Sequence, residues 1–340
     1  MRVGVVGCGY WGAKHVRVLQ SLADVEQVAL IDPREAARAT LGKAFPALLS
    51  FGSLDEALTH VDALVIASPP NTHAVLGLRA LQAGKHVLIE KPFTTNVKDA
   101  HALVKTAEAT GMTLMAGHTF EYNPAVWYLR EMVASGELGD IYYIDTARLN
   151  LGVYQQDVNV IWDLAPHDVS IINYILQSAP QRVHAWGGLN AHSFLEDVAY
   201  LRLEYSQIDV AAQVHVSWLD PCKVRRVTVV GSKKMAVYND LTTDEPVRIY
   251  DKGVAPVAKG AALTDPPMSY RYGAIVSPFI QSEEPLRIED QHFVECALEG
   301  RTPNTNGVSG LAVVKVLEAA TAALWQGRPV HVEQPELMFR

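Results

Sequence analysis

The chain has 340 residues, 49% hydrophobic and 19% charged, with a formal net charge of −8, a length that suggests about two domains able to fold without disulfide or metal staples. The acidic balance and the lack of a long basic run exclude nucleic acid as an expected partner, and no apolar run approaches the ~18 residues of a membrane span. Cys8, Cys222 and Cys296 lie too far apart for a disulfide framework or clustered zinc site, and Gly4 and Gly7 come too early for a secretory leader, so the expectation is a soluble cytoplasmic protein with no bound metal.

In chain order, residues 3–6 read as a buried strand, 12–22 as a helix, 28–31 as a strand and 35–43 as a helix. Strands follow at 63–67, 86–90 and 113–116, with helices at 73–83 and 97–110 that stop at Gly84 and Gly111. Short apolar strands between helices indicate βαβ units on a doubly wound parallel sheet, an α/β fold. Such a sheet takes its ligand beyond the carboxyl ends of its strands.

The pattern changes after residue 118. Helices are expected at 124–135, 164–176 and 308–324, with a long strand at 141–151. Alternating runs at 182–187, 198–205, 210–218, 224–230 and 234–238 have no helices between them, which suggests an antiparallel sheet. The proline-containing stretch 255–285 reads as an irregular excursion over the surface or between subunits.

Gly7-Cys8-Gly9-Tyr10-Trp11-Gly12 is a G-x-G-x-x-G between the first strand and first helix, and Asp32 ends the second strand twenty residues later. This is the context of a dinucleotide-binding loop. Gly7 permits the tight turn, Gly9 the approach of a pyrophosphate, and Gly12 close helix–strand packing. The free N–H groups of the helix start face the phosphates. Asp32 can accept both hydroxyls of an adenosine ribose and would repel a 2′-phosphate, favouring NAD over NADP. Arg34 could pair that phosphate and pulls the other way.

Glu90-Lys91-Pro92 follows the 86–90 strand, so Lys91 stands where a parallel sheet presents residues to its ligand. Taken alone, a lysine there reads more readily as a surface-loop residue. At this point the chain resembles the glucose–fructose oxidoreductase, inositol dehydrogenase and rhizopine-catabolism (Gfo/Idh/MocA) family over nearly its whole length. The resemblance rests on the glycine loop, Ala-Ser-Pro-Pro-Asn-Thr-His at 67–73, Ala-Gly-Lys-His-Val at 83–87, Glu-Lys-Pro at 90–92 and Asp163-x-x-x-His167-Asp168. It implies a Rossmann domain over 1–118. Over 119–340 it implies an α+β domain for substrate and assembly, with a large, mostly antiparallel open sheet. It also implies nicotinamide chemistry on sugars, sugar derivatives or cyclitols, and a homodimer or homotetramer formed through the outer face of that sheet.

The resemblance places Tyr10, Trp11, Ser68, Pro69 and His73 along the cofactor, the last three under its nicotinamide half. Glu90 and Lys91 join cofactor to substrate, and His118 stands at the hinge, although a core histidine reads equally well there. Asp163 and His167 are four apart and share a helix face. Pro166 is best tolerated in a first turn, which puts His167 near the start of a 164–176 helix, where the positive helix end favours neutral imidazole. Neutral imidazole is the form of a general base. Asp163 would orient it or bind a substrate hydroxyl, and Asp168 would support it from behind. An aspartate capping the helix beside an incidental histidine is the alternative. In the catalytic reading His167 takes the proton of a secondary hydroxyl and Lys91 stabilises the alkoxide.

Tyr122, Arg148 and Asn150 are further substrate candidates, with helix capping or a solvated strand face as alternatives. The basic run Lys223, Arg225, Arg226, Lys233 and Lys234 reads first as solvated, then as a subunit interface, then as a phosphate site. Trp127 and Trp218 read as core. Residues 157–168 and 215–221 resemble UDP-N-acetylglucosamine and UDP-N-acetylglucosaminuronate 3-dehydrogenases, implying a nucleotide-linked hexose oxidised at carbon 3. Inositol or a free monosaccharide is the rival substrate. A non-catalytic NAD-binding regulator is the rival class, disfavoured by intact Lys91, Asp163 and His167.

Overall fold

The computed structural model describes residues 1–155, 158–191, 194–256 and 268–333. The first domain carries β1 (Arg2–Val6), α1 (Tyr10–Leu19), β2 (Gln27–Ile31), α2 (Glu35–Ala44), β3 (Leu49–Phe51), α3 (Leu54–Ala57), β4 (Ala63–Ile66), α4 (His73–Gln82), β5 (His86–Glu90), α5 (Val97–Thr110) and β6 (Leu114–Gly117). Its strands are all parallel in the order β3-β2-β1-β4-β5-β6, the doubly wound arrangement expected. The order reverses between β1 and β4, so the crevice at their carboxyl ends is the ligand position. Val65, Leu64, Val87 and Leu88 are fully buried because helices cover both faces, which is why these strands read as continuous apolar runs.

The second domain follows with α6 (Pro124–Ala134), β7 (Ile141–Leu151), α7 (Val160–Leu176), β8 (Arg182–Gly188), β9 (Val198–Tyr205), β10 (Val210–Ser217), β11 (Leu219–Gly231), β12 (Met235–Asn239), β13 (Val247–Pro256), β14 (Met268–Val276), α8 (Pro285–Glu299), α9 (Gly307–Gln326) and β15 (Val330–His331). Nine strands form one open sheet, β14-β13-β12-β11-β7-β10-β9-β8-β15. The sheet is mixed: β10 runs parallel to β7, while the other pairs are antiparallel. Along β9, Ala199, Leu201, Leu203 and Tyr205 are buried, whereas Tyr200 and Arg202 face outward.

Several expectations need correction. The stretch 255–285 is not irregular throughout: strand pairing extends to Pro256 and resumes from Met268 to Val276, and α8 begins at Pro285, while 257–267 lie outside the described residues. β14 is an edge strand exposed along its length, so it carries no burial alternation to read. α7 starts at Val160 rather than residue 164, capped by the Asn159 side chain, which accepts from Trp162 N at 3.2 Å. Pro166 therefore sits inside the helix, and His167 lies two turns from its start. No membrane-length apolar run was expected, yet α9 is long and apolar enough to cross a membrane. Its residues are instead largely buried, packing on α5 and β6 of the first domain and on α7 and β8 of the second. With Leu311 and Val314 of α9 in the first domain's core, and Phe293 and Val294 of α8 packed beside β1 and α1, helices α8 and α9 pack into the first domain as well as the second.

Candidate active site

The glycine turn has the shape its sequence requires. Gly7 has φ +100°, and a Cβ there would lie 2.6 Å from the Ala67 carbonyl oxygen. A Cβ on Gly12 would lie 1.8 Å from the Gly7 carbonyl oxygen. Gly9 faces open space and caps α1 with no side-chain hydrogen bond, so the first N–H groups of α1 remain available to an anion. The turn thus fits a dinucleotide pyrophosphate.

Asp32 lies at the end of β2, buried. Its Oδ2 accepts from Cys8 N and Arg34 Nη2, both at 2.9 Å, and its Oδ1 from Arg34 N at 2.9 Å and Nε at 3.0 Å. Burial pushes its pKa up, but the Arg34 guanidinium and the two backbone N–H groups outweigh this and hold the carboxyl at about 2. The Arg34 side chain is 68% exposed. Arg38 donates to the Asp32 carbonyl oxygen, so two guanidiniums flank the aspartate.

His73, buried at the start of α4, sits between the carbonyl oxygens of Ser68 (2.9 Å) and Pro92 (3.0 Å), and a neutral ring donates to one of them. Burial lowers its pKa, against those two bonds. It ties the loop after β4, where Ser68 Oγ meets Thr72 Oγ1 at 2.7 Å and Pro69 is exposed, to the turn after β5. Glu90 lines the interdomain cleft beside Lys91; its carboxylate accepts from Lys91 N at 2.9 Å and meets His15 Nε2 at 3.1 Å, while His15 Nδ1 meets Asp290 at 2.8 Å. Burial pulls the His15 pKa down, but the two carboxylates overcome it and raise the value well above 6.5, so both ring nitrogens donate. This buried bridge joins α1, β5 and α8.

Lys91 and His167 line one cleft of about 360 Å³ between the domains, together with Trp11, Lys14, Thr119, Phe120, Asn150 and Lys223 among others. Lys91 Nζ donates to Asp163 Oδ1 at 3.1 Å and to the Asp163 carbonyl oxygen at 2.9 Å. Asp163 Oδ2 accepts from Trp218 Nε1 at 3.0 Å. Asp163 thus orients Lys91 rather than His167, whose orientation was one of the two roles expected of it, and Trp218, though core, aims that carboxylate. Asp168 does not back His167 either. It is 1% exposed and paired with Arg148, whose Nε lies 2.8 Å away. Arg148 lines the cleft as expected, stacked 4.6 Å over Phe120, and is ion-paired with Asp168.

His167 Nδ1 is buried with no partner among the described residues, and the ring meets Phe120 edge-on at 5.0 Å. The cleft therefore reaches the ring through Nε2. Burial first, then the charges of Arg148 and Lys91, push its pKa well below 6.5. Neutral imidazole is obtained, but from desolvation and neighbouring cations rather than from a helix end. Tyr122 is a correction: it is 1% exposed, and its hydroxyl meets Thr305 Oγ1 at 3.0 Å, so it packs in the interdomain core away from the cleft. Its neighbour Asn123 caps α6 and does line the cleft. His118 is buried with both ring nitrogens unpartnered among the described residues, its pKa pushed down to about 4 by burial.

Of the basic run, Lys223 and Arg225 reach the cleft, Arg225 pairing with Asp240 at 3.1 Å, while Arg226 faces Asp145 at 3.8 Å. Lys233 and Lys234 are not among the cleft residues, and Lys234 pairs with Glu137 at 2.9 Å. Asp157, which opens one segment of the UDP-sugar resemblance, lies outside the described residues. Lys14, Phe120, Asp240 and Pro285 were not anticipated, since nothing in local spacing marks residues that a distant fold brings to the cleft.

A doubly wound sheet with an open glycine turn at its switch point, covered by a second domain that supplies a buried histidine, defines a two-domain dinucleotide-binding protein. The chain belongs to the Gfo/Idh/MocA family: the model for an oxidoreductase family with an NAD-binding Rossmann fold matches residues 1–118, and the GFO/IDH/MocA C-terminal domain model matches 126–237. It is 35% identical over 188 residues to a UDP-N-acetylglucosamine 3-dehydrogenase of Acidithiobacillus ferrooxidans, an alignment spanning 55% of this chain and 58% of that protein. It is 30% identical over 332 residues to a 4-carboxy-2-hydroxymuconate-6-semialdehyde dehydrogenase of a Sphingobium species, covering 93% and 96% of the two chains. The solved structure of UDP-N-acetylglucosamine 3-dehydrogenase GnnA from Acidithiobacillus ferrooxidans superposes with TM-score 0.78 at 25% identity, over 95% of this chain and 97% of that one.

Proposed function

We propose that the chain is an NAD-dependent dehydrogenase or ketoreductase that interconverts a secondary hydroxyl and a ketone, at carbon 3 of a nucleotide-linked hexose. The observation that carries it is the convergence of Lys91 and His167, from different domains, on one cleft at the carboxyl edge of the first sheet. Gly7, Gly9 and Gly12, Asp32 and the 68–73 loop would hold NAD, which when bound supplies the hydride acceptor or donor. Neutral His167 takes the hydroxyl proton at Nε2. The Lys91 ammonium, fixed by Asp163, hydrogen-bonds the oxygen as charge develops on it. In the reverse direction the same imidazole, protonated, returns the proton.

The nucleotide-linked substrate is favoured by the cations of the cleft. Lys14 and Lys223 line it and pair with no carboxylate among the described residues, so a diphosphate has partners despite the net charge of −8. The relative from Acidithiobacillus supports the same class. Assembly through the second sheet is supported by its outer face, where Trp186 and Tyr200 are 61% and 44% exposed and Tyr200 stacks on His215 at 3.9 Å. A second copy covering that face gives the homodimer or homotetramer. The free cysteines fit a cytoplasmic setting.

The test follows NADH absorbance with UDP-N-acetylglucosamine, its uronate, free hexoses and myo-inositol. The nucleotide sugars should turn over fastest. Faster turnover of myo-inositol or a free hexose discards the nucleotide reading, and NAD binding without turnover of any substrate restores the regulator.

A further inference from the structure

A second cleft lies between the domains on the side away from Lys91 and His167. It measures about 710 Å³ and opens where β5 and β6 begin, beside His86 and Thr113, whereas the catalytic cleft opens where they end. One wall comes from the first domain, where Val104 and Ala107 of α5, Met112 and Leu114 form an apolar patch bordered by His86, Glu108 and Thr113. The facing wall, from residues 119–122, α6 and α7, is polar.

Glu121 stands in that wall. It is 9% exposed and lines the cleft, and its carboxyl makes no hydrogen bond or ion pair among the described residues. The residue is nine-tenths buried and its carboxyl keeps only slight contact with the cleft, so a donor arriving there would be favourable. Burial pushes its pKa well above the carboxylate range, with only the charge of Arg130 opposing. Arg130 lines the same cleft. Its guanidinium lies 4.5 Å over the Tyr174 ring and donates to Gln177 Oε1 at 2.8 Å, yet it pairs with no carboxylate among the described residues. Its remaining N–H groups are available for bidentate recognition.

We propose that this rear cleft binds a small zwitterion of the α-amino-acid type, its ammonium on Glu121, its carboxylate on Arg130 and an apolar side chain against Val104, Met112 and Leu114. The ammonium pairs with Glu121 in its carboxylate form, and the proton that burial favours on the free carboxyl is released to solvent. The ligand's carboxylate takes the planar fork of Arg130. The apolar patch of Val104, Met112 and Leu114 favours a hydrocarbon side chain over a polyol, whose hydroxyls would go unpaired against it. The site shares α7 with the catalytic cleft: Asp163 and His167 serve the front, Asn173, Tyr174 and Gln177 the rear, and Ser170 Oγ donates to the His167 carbonyl oxygen at 3.0 Å between them.

The experiment is calorimetric titration of the full chain with L-leucine. Leucinamide, which lacks the carboxylate, 4-methylpentanoate, which lacks the ammonium, and myo-inositol serve as comparisons. L-leucine should bind saturably, and each singly charged analogue should bind weaker by about tenfold or more, since each leaves one ionic partner unmet. Glu121→Gln and Arg130→Met, checked for native melting, should each weaken leucine binding about as much. The analogues on the unaltered chain keep the test open should a variant fail to fold. Absence of saturable heat at millimolar leucine, binding indifferent to both charges, or preferential binding of myo-inositol would overturn the proposal.

Discussion

Lys91 and Asp163 stand on different domains and are joined twice, Nζ donating at 3.1 Å to the carboxylate and at 2.9 Å to the backbone carbonyl of the aspartate. The helix that carries His167 therefore also sets the position of the lysine. Trp218 on the far side holds the same carboxylate. Trp218→Phe keeps the ring packing and removes one donor, worth about 1 kcal/mol. The expected result is a several-fold loss of kcat with the NAD dissociation constant unchanged. A kcat equal to that of the parent would show that the orientation of Asp163 does not matter.

His167 has its imidazolium disfavoured by burial and by the Arg148 and Lys91 charges. A base with a depressed pKa is fully available above that value and is lost only as pH falls through it. The kcat for alcohol oxidation should accordingly hold as pH drops past 6.5, the ordinary histidine value, and decline only well below it. A pH–rate profile with a limb at 6.5 would contradict this account of the site.

The cofactor preference rests on Asp32. The parent should bind NAD(H) more tightly than NADP(H), because a 2′-phosphate meets the buried carboxylate. Asp32→Ala removes that repulsion and leaves Arg34 and Arg38 beside the pocket, so NADP(H) affinity should rise by roughly tenfold or more. Calorimetry with both cofactors decides. Equal or tighter NADP(H) binding by the parent would mean that Arg34 governs.

Assembly is tested on the outer face of the second sheet. Replacing Trp186 and Tyr200 together by Asp should convert the proposed oligomer to a monomer near 37.2 kDa in sedimentation. An unaltered parent already sedimenting as a monomer at micromolar concentration would remove this interface.

Much of the first domain was legible because each βαβ unit is local. The strand, glycine turn and helix of residues 2–19 are adjacent in sequence, and Asp32 follows one crossover later. The second domain was legible where strands alternate in burial, as in β9, and not where an edge strand such as β14 buries nothing. The cap of α7 was misread because Pro166 suggests a first turn, while tertiary packing holds it inside the helix. Among site residues, identity was easier to read than partnership. Lys91, Asp163, His167, Arg148 and Asp168 meet around one cleft, but their pairing crosses between Lys91–Asp163 and Arg148–Asp168. No spacing rule along one helix reveals which distant cation each carboxylate receives. Tyr122 shows the same limit, lying one residue before a cleft-lining asparagine yet pointing into the core.

The most direct test of the Lys91–His167 chemistry is steady-state turnover of Lys91→Ala and His167→Ala, with NAD binding measured alongside by calorimetry. Each substitution should lower kcat by on the order of 10²-fold or more, as expected for loss of a general base or of an alkoxide-stabilising cation, while His167→Ala still binds NAD. Near-parental turnover in both variants, with the fold intact, would contradict the mechanism.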